Sequence, residues 1–153
     1  MAIMDIKEIS GTLGRNARLI GIDLGTKTIG LALSDVERKV ASPLTVLARG
    51  KFTRDSEALF ALMDEHGAAS LILGLPVSMD GREGPRCQST RQFAQNLLAR
   101  RDMPVAFWDE RLSTAAVVRM LVDDVDMTRG RRAQVVDKLA ATYILQGALD
   151  AIN

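Results

Sequence analysis

Short apolar runs separated by turn residues mark the first part of the chain. The runs LIGIDL and IGLALS flank the four residues GTKT. Two such runs around a glycine-containing turn are typical of a β-hairpin. A third run follows at residues 40–49, and its Pro43 restricts it to the edge of a sheet or limits its length. The pattern therefore predicts three strands in an antiparallel meander.

A helical period appears after residue 52. Apolar residues recur three and four positions apart between residues 53 and 66, which predicts a helix. The segment SLILGL, residues 70–75, is then a continuous apolar run of strand length. Such a run is typical of a central strand that is buried on both faces.

The C-terminal half of the chain continues to alternate between the two patterns. We predict a helix around residues 93–98 and then a strand over 104–109. A helix follows from an N-cap at Ser113 to Leu121. After a polar loop over 123–132, the last helix has an apolar stripe from residue 135 to 148.

The order of the elements, β-β-β-α-β-α-β-α-α, predicts an α/β fold with one mixed five-stranded sheet. The first three strands are antiparallel, and the later strands are parallel because right-handed helical crossovers connect them. The helices cover both faces of the sheet. A length of 153 residues favours one domain, over residues 18–153, preceded by an N-terminal arm over residues 1–17.

The composition is that of an ordinary globular protein, with 47% apolar and 25% charged residues. The net charge is only +1, so a nucleic-acid partner would have to be held by a local basic patch. The single Cys87 excludes an internal disulfide. No apolar run reaches the ~18 residues of a membrane helix, and the N-terminus lacks a secretory apolar region. We therefore expect a cytoplasmic protein with no membrane partner.

Asp23 is the first candidate for chemistry, because it lies inside the apolar run LIGIDL. Burying an ionised carboxylate without a partner costs several kcal/mol or more. Asp23 therefore either caps the turn at Gly25 and Thr26 or holds a charged ligand. The glycine spacing around it does not match a phosphate-binding loop of the Walker type.

Two further acids stand at positions where an α/β sheet binds ligands. Glu110 follows the strand over 104–109, and ligands bind at the carboxyl ends of such strands. Asp137 lies at the border of the apolar stripe in the early turns of the last helix. Each acid by itself is also compatible with a favourable carboxylate near a helix N-terminus. Together with Asp23 they form an oxygen ligand set of the kind that suits Mg²⁺.

Four segments in this order resemble the YqgF family, which is described as Holliday-junction resolvases and as pre-16S rRNA nucleases with a ribonuclease-H-like fold. The segments are GIDLGTKTIGLALSD, LILGLPVSMDGREGP, WDERLST and VVDKLAATYILQ. The resemblance covers roughly residues 18–150. It implies that Asp23, Glu110 and Asp137 are the catalytic, metal-binding acids and that Mg²⁺ or Mn²⁺ is the cofactor.

The chain departs from the family pattern at Thr28, where many members have arginine. In addition, related nucleases often take an acid from the end of the fourth strand, whereas here that strand ends LGLP. The role then falls to Glu110 on the next strand. With a strand order 3-2-1-4-5, the first and fifth strands are two strand spacings apart, a total of ~9.6 Å. The long side chain of Glu110 spans this gap better than that of Asp109.

The resemblance implies an endonuclease acting on structured nucleic acid, with the 5′ end of pre-16S rRNA in ribosome biogenesis as the first expected substrate. The alternatives are a Holliday-junction resolvase acting on DNA and a non-catalytic nucleic-acid-binding or ribosome-assembly factor. We expect a monomer or weak homodimer. The residues predicted to bind nucleic acid are Lys27, Arg111, Arg129, Arg131, Arg132 and Lys138. Taken singly, each is also compatible with an ordinary solvated surface.

Overall fold

The computed structural model describes residues 3–112 and 129–153, with the side chains of the second range described from Leu139 onward. The elements are α1 (Ile6–Thr12), β1 (Arg18–Leu24), β2 (Thr28–Ser34), β3 (Ala41–Ala48), α2 (Phe52–His66), β4 (Ala68–Leu75), α3 (Pro85–Arg100), β5 (Val105–Asp109), a 3₁₀ turn (Glu110–Leu112) and α4 (Arg129–Ile152).

The five strands form one sheet in the order β3-β2-β1-β4-β5. β1 pairs antiparallel with β2, and β2 pairs antiparallel with β3. β1 pairs parallel with β4, and β4 pairs parallel with β5. The predicted mixed sheet and its strand order are therefore confirmed. Pro43 lies in the edge strand β3, as expected for a residue that has no N–H to donate to a neighbouring strand.

Alternating side chains of β1 divide the core into two layers. Ile20 and Ile22 belong to the apolar cluster that includes Leu59 of α2 and Phe93 of α3. Leu19 belongs to the opposite cluster, which is built mainly from α4. Because side chains in a strand alternate between faces, Asp23 lies on the same face as Leu19, toward α4. This division places the first candidate acid beneath the last helix.

Residues 3–12 pack beside the amino end of β5. The Met4 N–H donates to the Val105 carbonyl at 2.9 Å, and Ile3 forms an isolated parallel bridge with Val105. The Asp5 carboxylate accepts from the Lys7 N–H and caps α1. Ile9 of this helix is fully buried in the α4-side cluster.

The loop predicted over residues 123–132 is wrong at its C-terminal end, because α4 already begins at Arg129. The first turn of a helix is often polar, and its composition then resembles that of a loop. The helix predicted from Ser113 to Leu121 lies outside the described residues. None of the described helices is long and apolar enough to cross a membrane.

Candidate metal centre at the carboxyl edge of the sheet

Asp23 lies one residue before the end of β1 and is almost completely buried, with 2% of its surface exposed. Its neighbour across the sheet is Gly30 of β2. A glycine at this position leaves the side of Asp23 that faces β2 without a competing side chain. The carboxylate therefore sits in the sheet, on the face covered by α4.

Glu110 reaches the same face from β5. It opens the 3₁₀ turn directly after the strand, and only 8% of its surface is exposed. A Cβ atom added to Gly74 would lie 2.9 Å from Glu110 Oε1. The carboxylate of Glu110 therefore lies over β4, in the space that a side chain at Gly74 would occupy.

The register of the parallel strands puts Gly74 at the level of Asp23. Ile22 of β1 pairs with Leu73 of β4, so Asp23 and Gly74 are the next residues of the two strands. β4 lies between β1 and β5, and the Glu110 side chain reaches from the end of β5 over Gly74 of β4. The fold thus brings Asp23 and Glu110 to one face of one sheet edge.

The direction of α4 follows from contacts at its C-terminal end. The Asn153 side chain donates to the Arg38 carbonyl at 2.8 Å, and Arg38 donates to the Ala17 carbonyl at 2.7 Å. Ala17 directly precedes β1, so α4 ends near the amino end of this strand. Farther back along the helix, Ala141 packs on Gly21, since a Cβ at Gly21 would lie 3.1 Å from the Ala141 carbonyl oxygen. The helix therefore runs antiparallel to β1.

Asp137 occupies the helical position one turn, ~6 Å, before Ala141. Asp23 lies two residues, ~6.6 Å, beyond Gly21 in the direction of the same end. The backbone of Asp137 consequently lies at the end of α4 that is nearer to the sheet edge with Asp23 and Glu110. Its side chain lies outside the described part of the structure, and the predicted three-acid cluster stays a prediction.

The predicted basic residues fall into two groups. Lys27 is exposed in the turn between β1 and β2. The Arg111 guanidinium is held by Asp109, with an Nη2–Oδ2 distance of 2.6 Å, and this contact keeps the pKa of the Asp109 carboxyl below its usual value. Arg129, Arg131, Arg132 and Lys138 lie in the first turns of α4, and their side chains are outside the description.

Among the residues whose side chains are described, no group of three acidic, histidine or cysteine residues lies close enough to hold a metal ion. The two described acids nevertheless fit a divalent cation by their chemistry. Both are buried carboxylates on one face, and hard cations such as Mg²⁺ and Mn²⁺ prefer oxygen ligands. Two carboxylates are also the number that Mg²⁺ commonly takes from a protein.

Gly74 is a residue of the site that the sequence analysis did not single out. In the sequence, Gly74 and Pro76 mark the end of the strand predicted over 70–75, whereas β4 continues through Gly74 to Leu75. An isolated glycine in a strand often marks the close approach of another group. That signal was present in LILGL, although the sequence does not say which group approaches.

Solved structures of two resolvases share this fold. The structure of Thermus thermophilus RuvC in complex with a Holliday junction substrate aligns with a TM-score of 0.54 and 17% identity, over 88% of this chain and 94% of that chain. The yeast mitochondrial Holliday junction resolvase Ydc2 aligns with a TM-score of 0.50 and 14% identity, over 94% and 82% of the two chains. Both neighbours support the ribonuclease-H-like fold.

Sequence relatives are much closer in identity. A Rhodospirillum rubrum protein named "Putative pre-16S rRNA nuclease" is 59% identical over 153 residues, which are 100% of this chain and 95% of the relative. A protein of the same name from Phenylobacterium zucineum is 58% identical over 100% and 99% of the two chains. The family model RuvX, described as Holliday junction resolvase, matches residues 17–151. The chain therefore belongs to the RuvX family, also called YqgF, of ribonuclease-H-like nucleases.

Proposed function

We propose that this chain is a Mg²⁺- or Mn²⁺-dependent endonuclease that cleaves the 16S rRNA precursor near its 5′ end. The observation that carries the proposal is the pair of buried carboxylates, Asp23 and Glu110, which share one face of the sheet edge. The burial matters because two ionised carboxylates in a site of low polarity are stabilised by a cation. Two exposed carboxylates would be stabilised by water and would depend less on a bound cation.

Asp23 and Glu110 would hold the cation, with Asp137 of α4 as the third ligand. A divalent ion bound there supplies Lewis acidity for activating the water nucleophile and for stabilising the leaving oxygen. Asp23 fixes the ligand set to the rigid centre of the sheet. Glu110 extends over Gly74 of β4, the strand next to β1, so that both carboxylates would be available to one bound cation.

The choice of RNA rests on the relatives. Those at 59% and 58% identity over the whole chain are named for the pre-16S rRNA. The second candidate is a Holliday junction of DNA, and the description of the matching family model favours it. Both substrates present a bent, branched or structured backbone to one active edge, so the fold is compatible with either.

The proposed substrate implies a place and partners for the protein. A nuclease of ribosomal precursors works in the bacterial cytoplasm and contacts precursor particles. Nucleic acid would be held by exposed Lys27 and by the basic residues at the start of α4. Because the net charge is only +1, this local cluster would supply the attraction. One set of acids per chain suffices for one cut, which is consistent with a monomer or weak homodimer.

The test is cleavage by the purified protein of a 5′-extended 16S RNA fragment and, separately, of a four-way DNA junction. Each substrate is incubated with Mg²⁺, with Mn²⁺ and with a chelator. We expect metal-dependent cleavage of the RNA and its loss in Asp23→Asn and Glu110→Gln.

Asp64→Asn is the matched control, since it also removes one carboxylate but lies on α2 in an exposed ion pair with Arg101. It should cleave like the wild type. Cleavage of the DNA junction but not of the RNA would indicate a Holliday-junction resolvase instead. Binding of RNA without cleavage in any metal would replace the nuclease by a non-catalytic assembly factor.

A further inference from the structure

A shallow pocket opens beside the turn that follows β1, on the α3 side of the sheet. It lies next to the sheet edge that holds Asp23 and Glu110, called the acidic edge below, but is not part of it. The residues that line it are Leu24, Gly25, Thr26, Arg49, Arg86, Ser89 and Thr90. They come from the β1–β2 turn, the end of β3 and the first turns of α3.

Two arginines converge on consecutive backbone carbonyls at this pocket. Arg49 Nη1 donates to the Gly25 carbonyl at 2.6 Å, and Arg86 Nη2 donates to the Leu24 carbonyl at 3.5 Å. The Arg49 guanidinium also lies 5.8 Å from the centroid of the Phe93 ring. Arg49 is half-buried and Arg86 is exposed, and each is directed toward the turn by its contact with a backbone carbonyl.

Neither of these guanidiniums forms an ion pair with a carboxylate in the described part of the chain. Other arginines in or next to α3 form such ion pairs. Arg91 pairs with Glu83 at 2.7 Å, and Arg101 pairs with Asp64 at 3.0 Å. Two like charges held near each other repel, and an anion bound between them relieves the repulsion. Each guanidinium has five N–H donors, so several stay available for such a ligand.

The remaining lining residues have the chemistry of an anion site. Ser89 and Thr26 are exposed and carry hydroxyl donors. The pocket also faces the N-terminal turns of α3, a 16-residue helix, whose dipole favours negative charge. Arginine pairs are well suited to phosphate because their planar donors match its oxygens.

The position of the pocket relative to Asp23 suggests which phosphate it takes. Gly25 follows Asp23 by two residues, so their Cα atoms lie within ~7.6 Å of each other. Leu24 packs toward α2 and α3, whereas Asp23 faces α4. The pocket and the acids thus lie on opposite sides of one strand end. A nucleic-acid strand that crosses this edge passes both.

We infer that the pocket formed by Arg49 and Arg86 binds a non-scissile backbone phosphate of the nucleic-acid substrate and fixes the register of the strand over the acids. The inference rests on the proposed nuclease function, since it assumes a polynucleotide at the carboxyl edge. Phosphate contacts of this kind position a substrate without reading its sequence.

The experiment compares Arg49→Gln, Arg86→Gln and the double variant with the wild type. Affinity for the RNA fragment and for the junction is measured in a chelator at several salt concentrations. Because both arginines contact one phosphate, the double variant should lose that contact and reduce the steepness of log affinity against log salt by ~0.7–0.9, and each single variant should lose part of this amount. Lysine at either position keeps the charge and should retain most of the slope.

Arg101→Gln is the matched control, because it removes the same charge at the C-cap of α3, ~22 Å from Arg86, where Arg101 forms an ion pair with Asp64. Its slope should equal that of the wild type. Equal slopes in the wild type and all the glutamine variants would overturn the inference. A loss of stability without a change in slope would overturn it too, because the two arginines would then only hold β3, α3 and the turn together. A wild type that binds but does not cleave counts against the proposed nuclease only, because the slopes are measured without cleavage.

Discussion

The burial of Asp23 is the residue-scale fact with the largest consequence. Aspartate is depleted in strands, and here it is 2% exposed inside an apolar one. Its placement costs folding free energy that a leucine or valine would not cost. A second carboxylate, that of Glu110, is buried on the same face, over the adjacent strand β4. Residues that are retained for function often cost stability in this way.

Asp23→Asn removes one charge at nearly constant volume. We expect metal-dependent cleavage to fall by ~100-fold or more, the scale of losing one group that stabilises the transition state. We expect the stability of the metal-free protein to stay equal or rise by ~0.5–2 kcal/mol, because asparagine places no ionised group at this buried position. Cleavage assays and chemical denaturation measure the two quantities.

The response to Mg²⁺ separates this interpretation from a turn cap. A ligand stabilises only the state that binds it, so Mg²⁺ should stabilise the wild type and have little effect on Asp23→Asn. If Asp23 instead caps the Gly25–Thr26 turn, the variant should lose ~1 kcal/mol and respond to metal as the wild type does. That outcome would remove the main support for a catalytic Asp23.

Asp109 has a different role from the adjacent Glu110. Its side-chain contact with Arg111 is the main cause that holds the pKa of Asp109 below its usual value, with the Arg111 backbone N–H adding to it. The contact occupies the Asp109 carboxylate and fixes the start of the 3₁₀ turn that carries Glu110. Arg111, predicted to bind nucleic acid, is engaged in this contact.

The pH dependence of stability tests the Asp109–Arg111 pair. A depressed folded-state pKa contributes stability above the unfolded pKa of ~3.9, and this contribution is lost as the pH falls through the folded value. Asp109→Asn should therefore cost up to ~1 kcal/mol near neutral pH, after allowance for partial exposure. The difference from the wild type should shrink as the pH falls below ~3.9. Chemical denaturation over a pH series, with Arg111→Ala in both backgrounds, measures the coupling directly.

At the scale of elements, two glycines let α4 lie close to the sheet. A Cβ at Gly21 would lie 2.7 Å from Leu145 Cβ, and one at Gly74 would lie 2.5 Å from Ile144 Cδ1. Both glycines lie on the α4 face of adjacent strands. The close approach brings the helix that carries Asp137 down onto the edge where Asp23 lies. Only at Gly74 does the missing side chain also make room for Glu110.

Gly74→Ala should therefore affect both packing and catalysis. The new Cβ displaces Glu110 Oε1 and Ile144 Cδ1, and overpacking of this kind costs ~1–3 kcal/mol. Adding Ile144→Val removes the Cδ1 atom and should restore part of the stability. Cleavage should stay low in the double variant, because Glu110 is still displaced. Activity per folded molecule and unfolding free energy are the measurements.

Gly21→Ala is the matched packing control. Its Cβ meets Leu145 and the Ala141 carbonyl, which cannot move without shifting the helix, and no atom of Glu110 is among its nearest neighbours. It should destabilise the fold at least as much as Gly74→Ala but retain more activity per folded molecule. Equal losses of activity in the two variants would indicate that helix position, not Glu110, controls cleavage.

At the scale of the whole molecule, the sequence predicted the sheet because each strand carries its own signal. The hairpin turn at Gly25 and the two-sided apolar run over 70–75 are local patterns, and the connection rules give the parallel direction of the later strands. The contact of Glu110 with Gly74 depends on the register between strands distant in sequence. The convergence of Arg49 and Arg86 on one turn joins segments 24 and 62 residues away from it. No local pattern predicts such tertiary contacts.

The distribution of charge is the remaining whole-molecule property, and it follows from the direction of α4. Because the helix ends near the amino end of β1, its first turns, with Arg129, Arg131 and Arg132, lie toward the acidic edge. A net charge of +1 leaves the rest of the surface nearly balanced. Nucleic acid should therefore be attracted to this edge rather than to the molecule as a whole.

Alanine at all three of these arginines should weaken binding of nucleic acid and reduce the steepness of its salt dependence by up to ~2–2.7, since each phosphate contact contributes ~0.7–0.9. Alanine at Lys7, Arg15 and Lys39 is the matched control. It removes the same charge from exposed positions near the amino ends of β1, β3 and β5, away from the acids. Titrations with labelled RNA at several salt concentrations give both slopes. If the two triple variants lose affinity and slope equally, attraction depends on net charge alone, and the binding surface does not lie at the start of α4.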